Sequence, residues 1–185
     1  MVIGTLSNLT IEKGVGEVID TFAELIRRGL NVRLVLAGPA ASKEAGTRIR
    51  DAVARFGDRM DVRGPVYGDD KERFLSEIDL FLFPTRYRNE SWGIVLNEAL
   101  MAGVPVCTYR RGCTAYLVGT NGGMVVTDDG KFVASVSDQI ESWIKKPATF
   151  AAARTRASQR GRELRDEAES LLSGFLDQFS RSDSL

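Results

Sequence analysis

The chain has 185 residues, 43% hydrophobic and 27% charged, with 25 basic side chains, 25 acidic ones and no histidine. That length and balance allow one soluble domain with a full apolar core, and a net charge of zero gives no electrostatic case for nucleic acid as a partner. The missing histidine excludes Ser-His-Asp and Cys-His chemistry and imidazole zinc sites, so any general base is a carboxylate, a lysine, a tyrosine or the substrate itself.

Val2 to Leu6 reads as a first strand, and Val15, Val18, Ile19, Phe22, Leu25 and Ile26 recur at helical spacing, so an amphipathic helix is predicted from about Val15 to Arg28. Gly29 stops it. Asn31 to Ala37 is a second strand closed by Gly38-Pro39, and Ser42 can cap a helix carrying Ala45, Ile49, Ala52, Val53 and Phe56. Met60 to Arg63 is a short third strand, Asp69-Asp70 open a helix to about Glu77, and Asp79 to Phe83 is a fourth strand ended by Pro84. A polar loop from Thr85 to Ser91 leads into a helix from about Gly93 to Met101. Val104 to Thr108 and Met124 to Thr127 follow as strands five and six, and the chain from about Lys131 is largely helical, with a serine-rich end (Ser180, Ser182, Ser184) expected to fray. Alternating β and α units imply a Rossmann-like α/β three-layer sandwich with a parallel sheet of about six strands, read as one domain over 1–185 with 147–185 a helical extension. No apolar run approaches the ~18 residues of a membrane span. The N-terminus carries no secretory pattern and the two cysteines, Cys107 and Cys113, form no C-x-x-C, so free thiols in a reducing cytosol are expected.

Ligands of such folds sit at the carboxyl ends of strands, in loops entering helices. The segment from Asn89 to Val106 carries the strongest chemical signal. From Ile94 to Val106 it is almost wholly apolar or small, which suggests a buried helix and strand, yet Glu98 interrupts it. A carboxylate in such surroundings needs donors, from a protein Arg or Lys or from ligand hydroxyls. Glu90 lies eight residues earlier, and the amides near Gly93 open a helix whose first turn suits an anion. A nucleoside diphosphate sugar would use all three features, whereas a structural Glu98 and a solvated Glu90 would need no ligand. A second signal is Lys13, at the start of the first helix, where a cation opposes the helix dipole and an anion would compensate. Five arginines (Arg154, Arg156, Arg160, Arg162, Arg165) read either as a solvated helix face or as a surface for anionic lipid or another domain.

These motifs occur in a specific order: Leu6-Ser7-Asn8 with Glu12-Lys13-Gly14, Leu34 to Pro39, Gly64-Pro65-Val66, and Glu90-Ser91-Trp92-Gly93-Ile94 through Glu98-Ala99-Leu100 with Gly103-Val104-Pro105-Val106. From about Val2 to Trp143 the set closely resembles the C-terminal domain of family 4 (GT4) glycosyltransferases, retaining enzymes of the GT-B fold, of which this would be one half. The resemblance implies that Lys13 contacts donor phosphate, Glu90 holds hydroxyls of the donor sugar, and Glu98 binds the ribose. It implies that the amides of Trp92, Gly93 and Ile94, beside Ser91, face the diphosphate, and that Gly38, Pro65 and Val66 approach the nucleotide. Glu90 and Lys13 are then the residues nearest the chemistry, Glu90 positioning the sugar without acting as nucleophile. No metal or other cofactor is implied, only a nucleotide sugar, UDP- or GDP-linked. Asn8 stands where the family commonly has arginine, and Arg110 and Tyr116 where it usually has acidic residues, so Arg110 or Arg111 is a candidate for the missing positive charge.

The resemblance further implies a partner, the N-terminal acceptor-binding domain. Either this chain is a piece of a longer enzyme or that domain is a separate polypeptide, and the first is the expectation. Alone, the chain is expected to be inactive. The full enzyme would be cytoplasmic, with peripheral association at the inner face of the membrane. Two other readings stand beside this one. Gly14-Val15-Gly16 is a fragment of a dinucleotide-binding fingerprint, lacking its third glycine, and a non-catalytic nucleotide-binding or interaction domain derived from a transferase would also accommodate the departures.

Overall fold

The computed structural model describes residues 1–182 except 91 and 129, with side chains through residue 176. Six strands form one parallel sheet: β1 (Val2–Leu6), β2 (Arg33–Ala37), β3 (Met60–Val62), β4 (Leu80–Phe83), β5 (Val106–Tyr109) and β6 (Gly123–Val126). Their order is β3-β2-β1-β4-β5-β6. The chain winds outward in one direction from β1 and in the other from β4, which is the Rossmann-like arrangement expected from the sequence.

The helices are α1 (Val15–Arg27), α2 (Lys43–Phe56), α3 (Gly68–Glu77), α4 (Ile94–Met101), α5 (Thr114–Val118), α6 (Phe132–Lys145) and α7 (Pro147–Ser182). Alternate residues of each strand enter opposite layers, as a period of two requires. Leu34, Leu36, Leu80 and Leu82 pack beneath α1, α2 and α6 with Phe22, Leu25 and Ile140. Val35, Ala37, Phe81 and Phe83 face the other way, toward Phe74, Leu96, Leu100, Leu117 and Leu164 of α3, α4, α5 and α7. Ser42 caps α2, accepting from the Ala45 amide at 3.2 Å.

Several sequence expectations are corrected. Strands two, three and four are shorter than read: Asn31, Val32, Arg63 and Asp79 lie outside the strands, although the Arg63 and Asp79 amides still donate to Leu36 and Val2, and the Asp79 carboxylate also accepts from the Val2 amide at 2.8 Å. Strand five begins at Val106, because Pro105 has no N–H to donate, and runs through Tyr109; strand six spans Gly123–Val126. The short helix α5, between Gly112 and Gly119, was not anticipated, since five residues show no periodicity. The helical tail is one continuous helix through Ser182, and Ser184 lies outside the described residues. The arginine-rich stretch is not uniformly solvated. Arg160 is only 12% exposed, reaches the backbone oxygens of Leu117 and Tyr116 on α5, and lies over the Tyr116 ring. Along α7, Ala153, Ala157 and Leu164 are buried, while Leu171, Leu172, Phe175 and Leu176 are exposed.

Arg28 ties α1 to α6, bonding Glu24 at 2.8 Å, Asp138 at 2.7 Å and Glu141 at 2.8 Å. Hydrogen bonds from Arg27 and then Arg28 hold the Glu24 carboxyl at about 2, below its ordinary 4.5. A depressed carboxylate contributes stability that is present above its unfolded value and lost as pH falls through its folded one. Arg28→Met is therefore expected to lower the thermal midpoint at neutral pH, with the gap to wild type closing as pH drops from about 4.5 toward 2; a constant gap over that range would contradict it.

Candidate functional site

The first turns after β1 and β4, the two central strands, meet at the carboxyl edge of the sheet. The segment after β1 reaches across β4: a side chain on Gly14 would lie 2.3 Å from the Pro84 carbonyl oxygen, and the Arg86 amide donates to Glu12 at 2.8 Å. That approach brings Lys13 and Glu90, 77 positions apart, to 2.6 Å. Glu90 is 10% exposed, so it is far from the solvated residue that the ligand-free reading of the sequence would leave. Its Oε2 also accepts from the Thr85 hydroxyl at 3.1 Å. The Lys13 ammonium sits 4.7 Å from the centre of the Tyr87 ring. Helix α1 itself begins two residues later than Lys13, at Val15.

Two adjoining cavities line this edge. One, of about 400 Å³, is walled by Lys13, Glu90, Trp92 and Gly93. The other, of about 290 Å³, is walled by Gly38, Pro65, Val66, Tyr67, Lys71 and Glu98. Leu6, Ser7, Asn8, Ile94 and Val95 line both, so they form one cleft with a carboxylate–lysine pair toward each end. Gly93 caps α4, whose first turn forms the partition between them. By helix geometry the leading amides of α4 have no intrahelical acceptor and sit at the positive end of its dipole.

Every described residue of the expected set lines this cleft: Asn8, Lys13, Gly38, Val66, Glu90, Trp92, Gly93, Ile94 and Glu98. Ser91 falls outside the described residues. The expectation of a buried helix holds for only one side of α4. Leu96, Ala99 and Leu100 are buried, whereas Ile94 is 68% exposed and the Glu98 side chain 30% exposed, because α4 turns its other side to the cleft. Glu98 is not bare: Lys71 on α3 donates to its Oε1 at 2.5 Å.

Lys71 and Tyr67 escaped the sequence reading. The run Asp69-Asp70-Lys71-Glu72-Arg73 looks like a solvated helix start, and only the demand of Glu98 for a donor hinted at a partner. Arg110 is exposed on the loop after β5 and is not among the residues lining the cleft. Tyr116 does not line it either. Its hydroxyl bonds Glu167, and its ring lies 6.1 Å from that of Trp92. Among the described residues no three His, Cys, Asp or Glu side chains are grouped to hold a metal ion.

The family model for glycosyl transferases group 1 matches residues 1–145. The chain belongs to that family. This group 1 glycosyltransferase chain is 30% identical, over 145 residues, to the capsular polysaccharide biosynthesis glycosyltransferase CapM of Staphylococcus aureus, covering 77% of this chain and 36% of CapM. Among solved structures it resembles HepE (Alr3699) of Anabaena in complex with UDP-glucose, with a TM-score of 0.68, 25% identity and coverage of 94% of this chain and 48% of HepE. It shares its fold with sucrose-phosphate synthase of Thermosynechococcus elongatus, with a TM-score of 0.76, 21% identity and coverage of 96% and 44%. This group 1 glycosyltransferase chain thus spans less than half the length of each of these relatives.

Proposed function

We propose that the cleft binds a nucleoside diphosphate sugar, and that the chain is the donor-binding, C-terminal half of a retaining GT-B enzyme of the GT4 type. Residues 1–185 then form one domain, with 147–185 its helical extension. The observation that carries this reading is the Lys13–Glu90 pair at 2.6 Å beside the start of α4, in one cleft with Asn8 and Glu98. The complex of HepE with UDP-glucose supports a donor of that chemistry.

In this reading the diphosphate lies against Lys13 and the amides of Trp92, Gly93 and Ile94. Those donors favour the charge that grows on the leaving diphosphate as its bond to the anomeric carbon breaks. The acceptor hydroxyl forms the new bond on the same face, and its proton passes to the departing phosphate oxygen. That route asks for no imidazole. Glu90 orients the transferred hexose through its hydroxyls, and Glu98 accepts from the ribose. Asn8 hydrogen-bonds but carries no charge, so phosphate affinity rests on Lys13 and α4. The acceptor is held by an N-terminal domain of the whole enzyme, and transfer requires both halves. The enzyme works in the cytoplasm at the inner face of the membrane by peripheral association, and no helix among the described residues is long and apolar enough to cross it.

Titration calorimetry of the 185-residue chain with UDP, GDP, ADP and NAD tests the reading. Saturable binding of one of the three diphosphates, with NAD bound more weakly, is the expected result. Binding of NAD alone, or of none of the four, would overturn it.

A further inference from the structure

The geometry points to Lys71 as a positioning residue for Glu98: it holds one carboxylate oxygen so that the other is presented to a vicinal diol, the ribose of the nucleotide. This deepens the reading above and rests on it.

Glu98 stands in the second turn of α4, on a helix anchored through Leu96, Ala99 and Leu100. Its backbone is therefore fixed, but its carboxylate turns freely about the last side-chain bond unless something grips it. Lys71 does so at 2.5 Å on Oε1, and among the described residues no other donor reaches that carboxylate. Oε2 is left as an acceptor in a cavity walled by Asn8, Val66 and Tyr67. Both side chains are about 30% exposed, so water weakens the pair as a source of stability. Its service is orientation: an ionised carboxylate with one oxygen engaged offers the lone pairs of the other in a set direction, as adjacent hydroxyls need. Helix α3 follows directly on the turn that carries Val66 and Tyr67, so one element supplies both the wall of this cavity and the ammonium that aims Glu98.

The alternative for a lysine here is a direct bond to phosphate, and the two roles separate cleanly. Calorimetry is run on the 185-residue chain with whichever of UDP, GDP and ADP it binds, and with the 2′,3′-dideoxy form of the same diphosphate. Lys71→Met is expected to weaken the ribose-bearing ligand about tenfold, to change the dideoxy ligand little, and to add no further loss in a Glu98→Gln background. Lys71→Arg, which keeps a donor on Glu98, is expected to retain part of the affinity. Lys71→Gln, measured in the same way, covers the case in which methionine disturbs α3. Equal losses for both ligands, losses that add to those of Glu98→Gln, or no loss at all would overturn the assignment. A wild-type chain that binds no nucleoside diphosphate would instead overturn the functional reading beneath it.

Discussion

Lys13→Met is expected to weaken nucleoside diphosphate binding by roughly ten- to a hundredfold, the equivalent of about 1.5–3 kcal/mol for a lost charge-assisted bond. The Lys13 side chain is 23% exposed, and its ammonium is already gathered beside Glu90 and Tyr87, so little ordering remains to be done when an anion arrives. Methionine keeps the stem and removes the charge. The same change leaves Glu90, 10% exposed, with the Thr85 hydroxyl as its remaining side-chain donor among the described residues, so it also lowers the stability of the fold. The double variant Lys13→Met/Glu90→Gln separates the two effects. It should regain thermal midpoint without regaining affinity, because a diphosphate with no sugar attached has nothing to offer position 90. Calorimetry alongside thermal melts measures both, and an unchanged dissociation constant for Lys13→Met would remove Lys13 from the site.

Gly38→Ala should cost the fold roughly 3 kcal/mol or more, enough to leave a marginal domain partly unfolded. Gly38 has φ 114°, and a Cβ built there would lie 1.8 Å from the Ser7 carbonyl oxygen, backbone that cannot step aside cheaply. Its amide donates to Gly64 at 2.6 Å, so the residue fastens the ends of β2 and β3 while the chain after β1 passes over it. Gly29 is the control. It too has positive φ, 75°, but an added Cβ meets nothing within 4 Å, and Gly29→Ala should cost only about 1 kcal/mol. Urea unfolding of the pair measures the difference. Similar losses at the two positions would show that left-handed backbone alone, rather than the approach of Ser7, sets the cost at Gly38.

Strands β2, β4 and β5 were legible as mostly apolar runs bounded by Gly, Pro or a charged residue, and α1 because six apolar residues repeat along one face. α5 was not, since five residues between two glycines carry no period. Lys13 and Glu98 were legible as local oddities, a cation near a helix start and a carboxylate within an apolar run, and Glu90 by its place in the polar loop just before α4. What those oddities could not name were partners distant in sequence. Lys71 lies 27 positions from Glu98, in a stretch with charges of both signs that looks solvated. The exposure of Ile94 was missed for the opposite reason, because a side chain beside a cleft and one in a core are equally apolar in the sequence. Arg160 looked like its arginine neighbours on α7, and only the presence of α5 beneath it sets it apart.

Lys13 and Glu90 are contributed by connections that follow two neighbouring central strands, and nearly half the chain runs between them. No fragment that lacks either connection can therefore assemble the cleft, and occupancy is linked to the folding of the central sheet rather than to any local loop. A ligand at a hundred times its dissociation constant would, by mass action, deepen the native well of the whole molecule by about 2.7 kcal/mol. In this chain, recognition and cooperativity share the same pair of strands.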